Sequence, residues 1–208
     1  MYKFIKEHKI VISSERLYFK EFTNSEFDLF YSVFSNGQVM KYALMDKYES
    51  EKDILPYFNR VLENNTACIN RKAFEFAVYS CEDDSFVGFA DIEVHNKNAV
   101  GGCGEIGYFL LPEFWGKGYA TEIAKMLLDI CFKNINLHRV SARCNSNNLQ
   151  SERVMKKIGM IKEGEFRKVR FKNNQWENEY QYSILIEEWE KDLTQYLDKL
   201  NKDNQIGR

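Results

Sequence analysis

The sequence predicts an α/β (α+β) chain, a sheet of about seven strands with helices packed against it. Three features point to it. Residues 73–80 (AFEFAVYS) and 86–94 alternate around a turn at 81–85, the pattern of an antiparallel hairpin. Residues 105–111 (EIGYFLL) form a strand-like run that Pro112 ends, and a glycine-bearing turn leads from it into a helix. Two further helix starts are marked by caps, Thr23-Asn-Ser-Glu26 and Ser50-Glu-Lys-Asp53.

Taken in order, residues 10–22 read as one strand, with Leu17 and Phe19 alternating with Arg16, Tyr18 and Lys20. The capping box at Thr23 predicts a helix to about Phe34, stopped by Asn36-Gly37, and Ser50 opens a second helix to about Asn64. Pro56 lies inside that helix and is expected to kink or split it. In the hairpin, Ala90, Ile92 and Val94 share one face, with Asp91 and Glu93 on the other. The stretch 95–98 with Gly101, Gly102 and Gly104 predicts a turn in which the glycines serve conformation. After the strand at 105–111, Ala120, Ile123, Ala124, Leu127, Ile130 and Cys131 share the apolar face of a helix to about residue 134. Residues 139–144 form the next strand, Asn148–Ile158 an amphipathic helix ended by Gly159, and 160–172 with 176–186 a last antiparallel pair. From about 187 to 203 the spacing of Trp189, Leu193, Tyr196, Leu197 and Leu200 predicts a final helix, docked on the core or on a partner. With no repeat or linker, residues 1–208 are expected to form a single domain.

Composition narrows the function classes. A hydrophobic content of 44% with 2 prolines argues against disorder, and a formal charge of −2 argues against nucleic acid or an anionic membrane as partner. No apolar run reaches the roughly 18 residues that span a bilayer, and the start MYKFIKEHK has no signal-peptide core, so a cytoplasmic location is expected. Cys68, Cys81, Cys103, Cys131 and Cys144 are widely spaced, and His8, His95 and His138 match no zinc spacing; free thiols and no metal are expected.

The turn 115–120, WGKGYA, is the stretch with chemistry in it. Strand, glycine turn and helix start make a place for phosphate, because the first helical amides have no intrahelical acceptor and the dipole adds positive charge. Gly116 and Gly118 let an anion approach the backbone, and Lys117 adds a charge. GxxxxGK[ST] and GxGxxG are both absent, which leaves neither a Walker A loop nor a dinucleotide fingerprint.

The run EIGY-x-L-x-P-E-x-W-G-K-G-Y-A-T-E resembles the acetyl-coenzyme A loop of the GNAT acetyltransferases, most closely the branch with the ribosomal-protein N-terminal acetyltransferases. A second motif, Asn148-x-x-Ser151-x-Arg153-Val-x-x-Lys157-x-Gly159-Met160, is similar to that family's N-x-x-S-x-R-V-x-x-K-x-G-F, with Met160 in place of phenylalanine. Asn148 and Ser151 also suit a helix start, and one side chain can cap and touch a ligand. The element order is the family's too, over residues from about 10 to 189. The resemblance implies a mixed, mostly antiparallel sheet whose fourth and fifth strands run parallel and splay apart.

It further implies acetyl-CoA as co-substrate and transfer of its acetyl group to a primary amine by direct attack. Phe109, Leu110 and Leu111 would pair with the pantetheine arm, and Trp115, Gly116, Lys117, Gly118, Tyr119 and Ala120 would hold the pyrophosphate, with Lys117 and Arg153 adding charge and Thr121 and Asn148 also binding the cofactor. Ser151 would stand near the leaving thiolate, since the family's usual tyrosine acid has no counterpart there. For the base, Glu105 is the first candidate, with Asp91 and Glu93 behind it; the position where part of the branch has a glutamate is Arg170. The acceptor is expected between the first helices (Tyr42, Tyr48, Tyr57, Phe58) and the last hairpin (Arg167, Trp176). A peptide N-terminus is the first expectation for it, a small amine, polyamine or aminoglycoside the second, and a non-catalytic acetyl-CoA-binding module the alternative to an enzyme. The molecule is expected as a monomer or homodimer.

Overall fold

The computed structural model describes residues 11–67, 71–172, 174–191 and 194. The expected first strand is two. β1 (Val11–Ser13) turns at residues 14–16 into β2 (Leu17–Glu21), so the sheet has eight strands and not seven. The turn is closed locally: the Ser14 N–H donates to the Leu17 carbonyl at 2.8 Å, and the Leu17 N–H donates to Ser14 Oγ at 3.1 Å.

A 3-10 turn at Asn24–Glu26 leads into α1 (Phe27–Phe34), with the Thr23 N–H donating to Glu26 Oε2 at 2.7 Å as the capping box requires. α2 runs from Glu51 to Thr66 behind the Ser50 cap. Pro56 lies within it and does not split it. Ile54, Phe58 and Val61 are buried on both sides of the proline, and packing of that stripe outweighs the roughly 3 kcal/mol that proline costs inside a helix.

β3 (Ala73–Ser80), β4 (Phe86–Asn98) and β5 (Gly101–Leu110) follow as antiparallel neighbours. The broad turn expected around residue 100 shrinks to two residues, because the glycines belong to β5. Close packing places them there: a Cβ on Gly102 would lie 2.6 Å from the Asn96 carbonyl oxygen, and one on Gly104 2.7 Å from Leu137 Cδ1.

α3 (Tyr119–Asp129) buries Ile123, Ala124 and Leu127 and continues as a π turn at Ile130–Asn134. β6 (Arg139–Asn145), α4 (Leu149–Lys157), β7 (Ile161–Lys172) and β8 (Gln175–Leu185) complete the order. Gly159, at φ +85°, ends α4. Residues 186–191 begin the tail helix, and Trp189 packs on Phe132 at 5.2 Å; Leu193, Tyr196, Leu197 and Leu200 lie outside the described residues. Among the described residues, Cys81, Cys103, Cys131 and Cys144 are free thiols, and no helix is long and apolar enough to cross a membrane.

The strand order is β1-β2-β3-β4-β5-β6-β8-β7, antiparallel except for β5 and β6. That parallel pair has three rungs, Cys103 with Arg139, Gly104 with Val140 and Glu105 with Ser141, and beyond them β5 and β6 part. One core, with Leu17, Phe76, Ile92, Ile106 and Val140, packs under α3 and α4. The other, with Phe22, Phe30, Phe34, Phe58 and Phe89, packs under α1 and α2.

Candidate active site

Where β5 leaves β6, its inward main-chain groups lose their partner, and their direction is set from both ends of the strand. The Gly102 carbonyl accepts from the His138 N–H at 2.7 Å and the Gly104 carbonyl from Ser141 Oγ at 3.1 Å, so even-numbered residues face β6. The Leu111 N–H donates to the Val87 carbonyl at 3.0 Å, so odd-numbered residues face β4. Alternation therefore turns the N–H groups of Ile106, Tyr108 and Leu110 into the wedge, and those of Phe109 and Leu111 toward β4. The Leu110 carbonyl is already engaged, because the Trp115 indole Nε1–H donates to it at 2.8 Å. Leu110 thus offers the wedge a donor.

The same indole fastens the glycine turn to the end of β5. Gly116 and Gly118 have φ of +75° and +81°, the left-handed region that a Cβ makes costly. Gly118 caps α3, its carbonyl accepting from the N–H groups of Thr121 and Glu122 at 3.2 and 3.3 Å. The N–H groups of Tyr119 and Ala120, the first two of the helix, precede any helical acceptor and stand at its positive end. Exposed Lys117 adds positive charge within the turn itself, and Arg153 is exposed on α4.

Arg16 holds that turn from below. Its Nε donates to Glu122 Oε2 at 2.8 Å, its Nη1 to the Lys117 carbonyl at 3.0 Å, and its guanidinium carbon lies 4.8 Å from the centre of the Tyr119 ring. Glu122 Oε1 accepts from Ser14 Oγ at 2.6 Å and from the Arg16 N–H at 3.2 Å. The β1–β2 turn, α3 and the glycine turn are thereby one unit. Sequence reading treats Arg16 as a strand residue and misses this, because the partners lie over 100 positions apart.

On the far side of the wedge, Asn148 Oδ1 accepts from the Ser151 N–H at 3.1 Å, so Asn148 caps α4. Ser151 Oγ lies 3.5 Å from the Tyr108 hydroxyl. A tyrosine thus reaches Ser151 from β5, where the sequence motif shows none. Burial pushes the Tyr108 phenol up to about 12, with the Ser151 contact acting in the opposite sense, so it stays a protonated donor near neutral pH.

The other face of the sheet is acidic. Glu75 pairs with Asp91, Asp91 with Gly107, and Glu93 with Glu105, so the three carboxylates expected to converge do share a face and a fourth joins them. Glu75 is 4% exposed; its Oε1 accepts from Asn64 Nδ2 at 3.0 Å, while Oε2 has no hydrogen-bond partner. Burial raises its pKa. The Asp91 carboxylate has no hydrogen bond among the described residues, and burial first, then Glu75, Glu105 and Glu93, push it up to about 7. Glu105, the first candidate on sequence, is engaged by Arg143 Nε at 3.0 Å. Arg143 also lies 3.7 Å from Glu179, which accepts from Arg170 Nε at 2.7 Å. Arg170 is thus committed to Glu179.

α2 covers this face. The Tyr57 phenol is raised well above its ordinary value by burial, then by Asp91 and Glu75, while Arg60, 4.8 Å from the ring centre, acts in the opposite sense. Phe58 is 2% exposed and belongs to the core, not to an acceptor surface. Arg167 and Trp176 sit exposed on the β7–β8 hairpin, and Trp176 packs edge-on against Phe171 at 5.5 Å.

Residues 16–161 match the model of the acetyltransferase (GNAT) domain. The uncharacterized N-acetyltransferase YnaD of Bacillus subtilis (strain 168) is 37% identical over 178 residues, 86% of this chain and 98% of that protein. The crystal structure of an acetyltransferase (GNAT family) from Bacillus anthracis has a TM-score of 0.69 at 35% identity, covering 86% of this chain and 99% of its own. A spermidine N-acetyltransferase from Vibrio cholerae, crystallised with CoA and spermine, has a TM-score of 0.73 with 85% and 99% covered; at 19% identity that likeness is of fold.

Proposed function

This chain belongs to the GNAT acetyltransferase family, and on that footing we propose that it moves the acetyl group of acetyl-CoA to a primary amine carrying further positive charge. Asp91 is the observation that carries the acceptor side: a carboxylate with no hydrogen bond among the described residues, flanked by Glu75, Glu93 and Glu105, one strand away from the wedge. Such a face attracts a cation and can accept its proton.

In the proposed step, Asp91 takes a proton from the ammonium, directly or through water, and the freed nitrogen attacks the thioester carbon. The Leu110 N–H donates to the oxygen as charge develops on it. The C–S bond then breaks as the carbonyl re-forms; a thiol with an ordinary pKa of about 8.5 leaves readily as thiolate, and the surplus proton on the new amide nitrogen passes to it through Ser151, backed by Tyr108, so that a neutral amide and the free thiol result. The glycine turn with the Tyr119 and Ala120 amides and Lys117 holds the pyrophosphate, and Leu110 meets the pantetheine arm.

The acidic face supports a small polycationic amine as acceptor. A peptide N-terminus is the second reading, supported by the likeness of the WGKGYA turn to the ribosomal-protein branch and by the exposed aromatics Phe171 and Trp176 on the β7–β8 hairpin. The test is a thermal-shift titration with acetyl-CoA, CoA, ATP and NAD, followed by mass spectrometry of a polyamine and peptide panel. A shift with the CoA species and acetylated polyamine support the reading; acetylated peptide alone moves the assignment to the second. A shift without product would mean a CoA-binding module, and no shift would remove the phosphate site from the glycine turn.

A further inference from the structure

Lys172 stands at the end of β7 with its ammonium buried, 8% of the residue being exposed. Its Nζ donates to three carbonyls of one segment: Met40 at 2.8 Å, Ala43 at 2.9 Å and Met45 at 2.8 Å. An ammonium has three protons, so all of its donors are used. The acceptors lie 127 to 132 positions away, in the segment joining α1 to α2. A carbonyl trio inside a loop can be satisfied this way only by a compact cation with tetrahedral donors, and a guanidinium's planar fork has the wrong shape. Burial lowers the lysine's pKa, while Asp46 and Glu177 act to keep it charged and Arg170 opposes them.

The segment it holds leads to the acceptor face. Met40 and Ala43 are core residues under α1 and α2. The Tyr48 N–H donates to the Phe34 carbonyl at 3.0 Å, and Phe34 packs on Tyr57 at 5.3 Å and on Phe109 at 5.5 Å. Tyr48 and Tyr57 pack on this same core, and Phe34 also meets Phe89 at 5.1 Å, which with its partner Phe109 lies on the face of β4 and β5 that carries Asp91. A continuous set of contacts therefore runs from the last hairpin through residues 40–48 to the face of β4 and β5 that carries Asp91.

We propose that Lys172 is a positioning residue for the acceptor: its ammonium fastens the 40–48 segment to the last hairpin and so sets the size of acceptor that reaches Asp91. This rests on the amine-acetyltransferase reading, in which the carboxylate face receives the acceptor. It predicts a division of labour, since the latch touches neither the glycine turn nor the Leu110 donor. Loss of the latch should weaken acceptor use and leave CoA binding alone.

The experiment compares wild type with Lys172→Met and Lys172→Arg in the full chain. It reads the CoA dissociation constant by calorimetry, KM for acetyl-CoA and for two amines of different length, and hydrogen exchange of the peptides covering 36–48. The expected result is a rise of about tenfold or more in acceptor KM, a narrower ratio between the two amines, faster exchange at 36–48, and CoA binding within about twofold of wild type. Arginine should not rescue. Unchanged acceptor KM with unchanged exchange would overturn the proposal, as would a loss of CoA binding in step with acceptor use, which marks a general structural role. If Lys172→Met does not fold, Lys172→Arg carries the same readings. Absence of turnover in wild type would instead sink the acetyltransferase reading, while faster exchange at 36–48 in the variants would still establish the latch itself.

Discussion

Oδ1 of Asp91 occupies the space that a side chain at position 107 would need: a Cβ on Gly107 would lie 2.4 Å from it. The two residues are partners across β4 and β5. The missing side chain is what allows a carboxylate to sit over the central strand beside the wedge. Gly107→Ala is accordingly expected to push the carboxylate aside, lowering kcat by about tenfold or more and stability by about 1–3 kcal/mol, with CoA affinity unchanged. Steady-state kinetics alongside CoA calorimetry check it, and an unaltered kcat would remove Asp91 from the reaction.

Asp91→Asn tests the base directly. With Asp91 pushed up to about 7, wild-type kcat/KM should climb as pH rises through that value. The asparagine variant should lose that limb and about a hundredfold in rate. A limb that persists in the variant would belong to another group, such as the acceptor's own ammonium.

The same substitution carries a stability prediction of defined sign. A carboxyl whose folded pKa lies above its unfolded value of about 3.9 binds more protons folded than unfolded between the two, so stability falls as pH rises from about 4 to 7. Asp91→Asn removes that cost. The variant's Tm should exceed wild type by more at pH 8 than at pH 5, which a pair of thermal melts will show; an equal gain at both would mean that Asp91 does not titrate in this window.

Gly118→Asp places a Cβ and a negative charge at a φ of +81°, where the first α3 amides are exposed. CoA affinity should fall at least about tenfold, about 1.4 kcal/mol, with the fold retained. Arg16 Nη2 lies 3.6 Å from the position of the new Cβ, so the added carboxylate would also compete with Glu122 for the guanidinium. Undiminished affinity would put the phosphate elsewhere.

Arg16→Ala should raise KM for acetyl-CoA by about tenfold with acceptor KM unchanged, because the guanidinium ties Lys117 and Glu122 together and has no contact with Asp91 among the described residues. Arg16→Lys should not restore it, since Nε and Nη1 reach different partners at once. Equal loss of both substrates would mark Arg16 as purely structural.

Much of this fold is written in local pattern. The Thr23 and Ser50 caps, the alternation at 73–80 and the stop at Gly159 all depend on neighbours within a few residues, and each element forms where its pattern places it. The misreadings have a common cause. The break at residues 14–16 depends on Ser14 engaging Leu17 and Glu122, the unbroken α2 on a buried stripe beneath Pro56, and the glycines at 101–104 on Asn96 and Leu137. Each is a contact between segments that period alone does not relate.

By itself the sequence determined the glycine turn after a strand, the capped helix that carries Asn148 and Ser151, and the carboxylates on one face of the β4 strand. These follow from spacing, because strand and helix periods assign faces without reference to the rest of the chain. Tertiary structure alone decided which carboxylate is free. Glu105 and Asp91 share a face, yet Arg143 arrives from β6 to engage the first, while burial under α2 and the neighbouring Glu75 leave the second with a raised pKa. Electrostatic free energy depends on distance and local dielectric through space, and the order of residues along the chain carries neither.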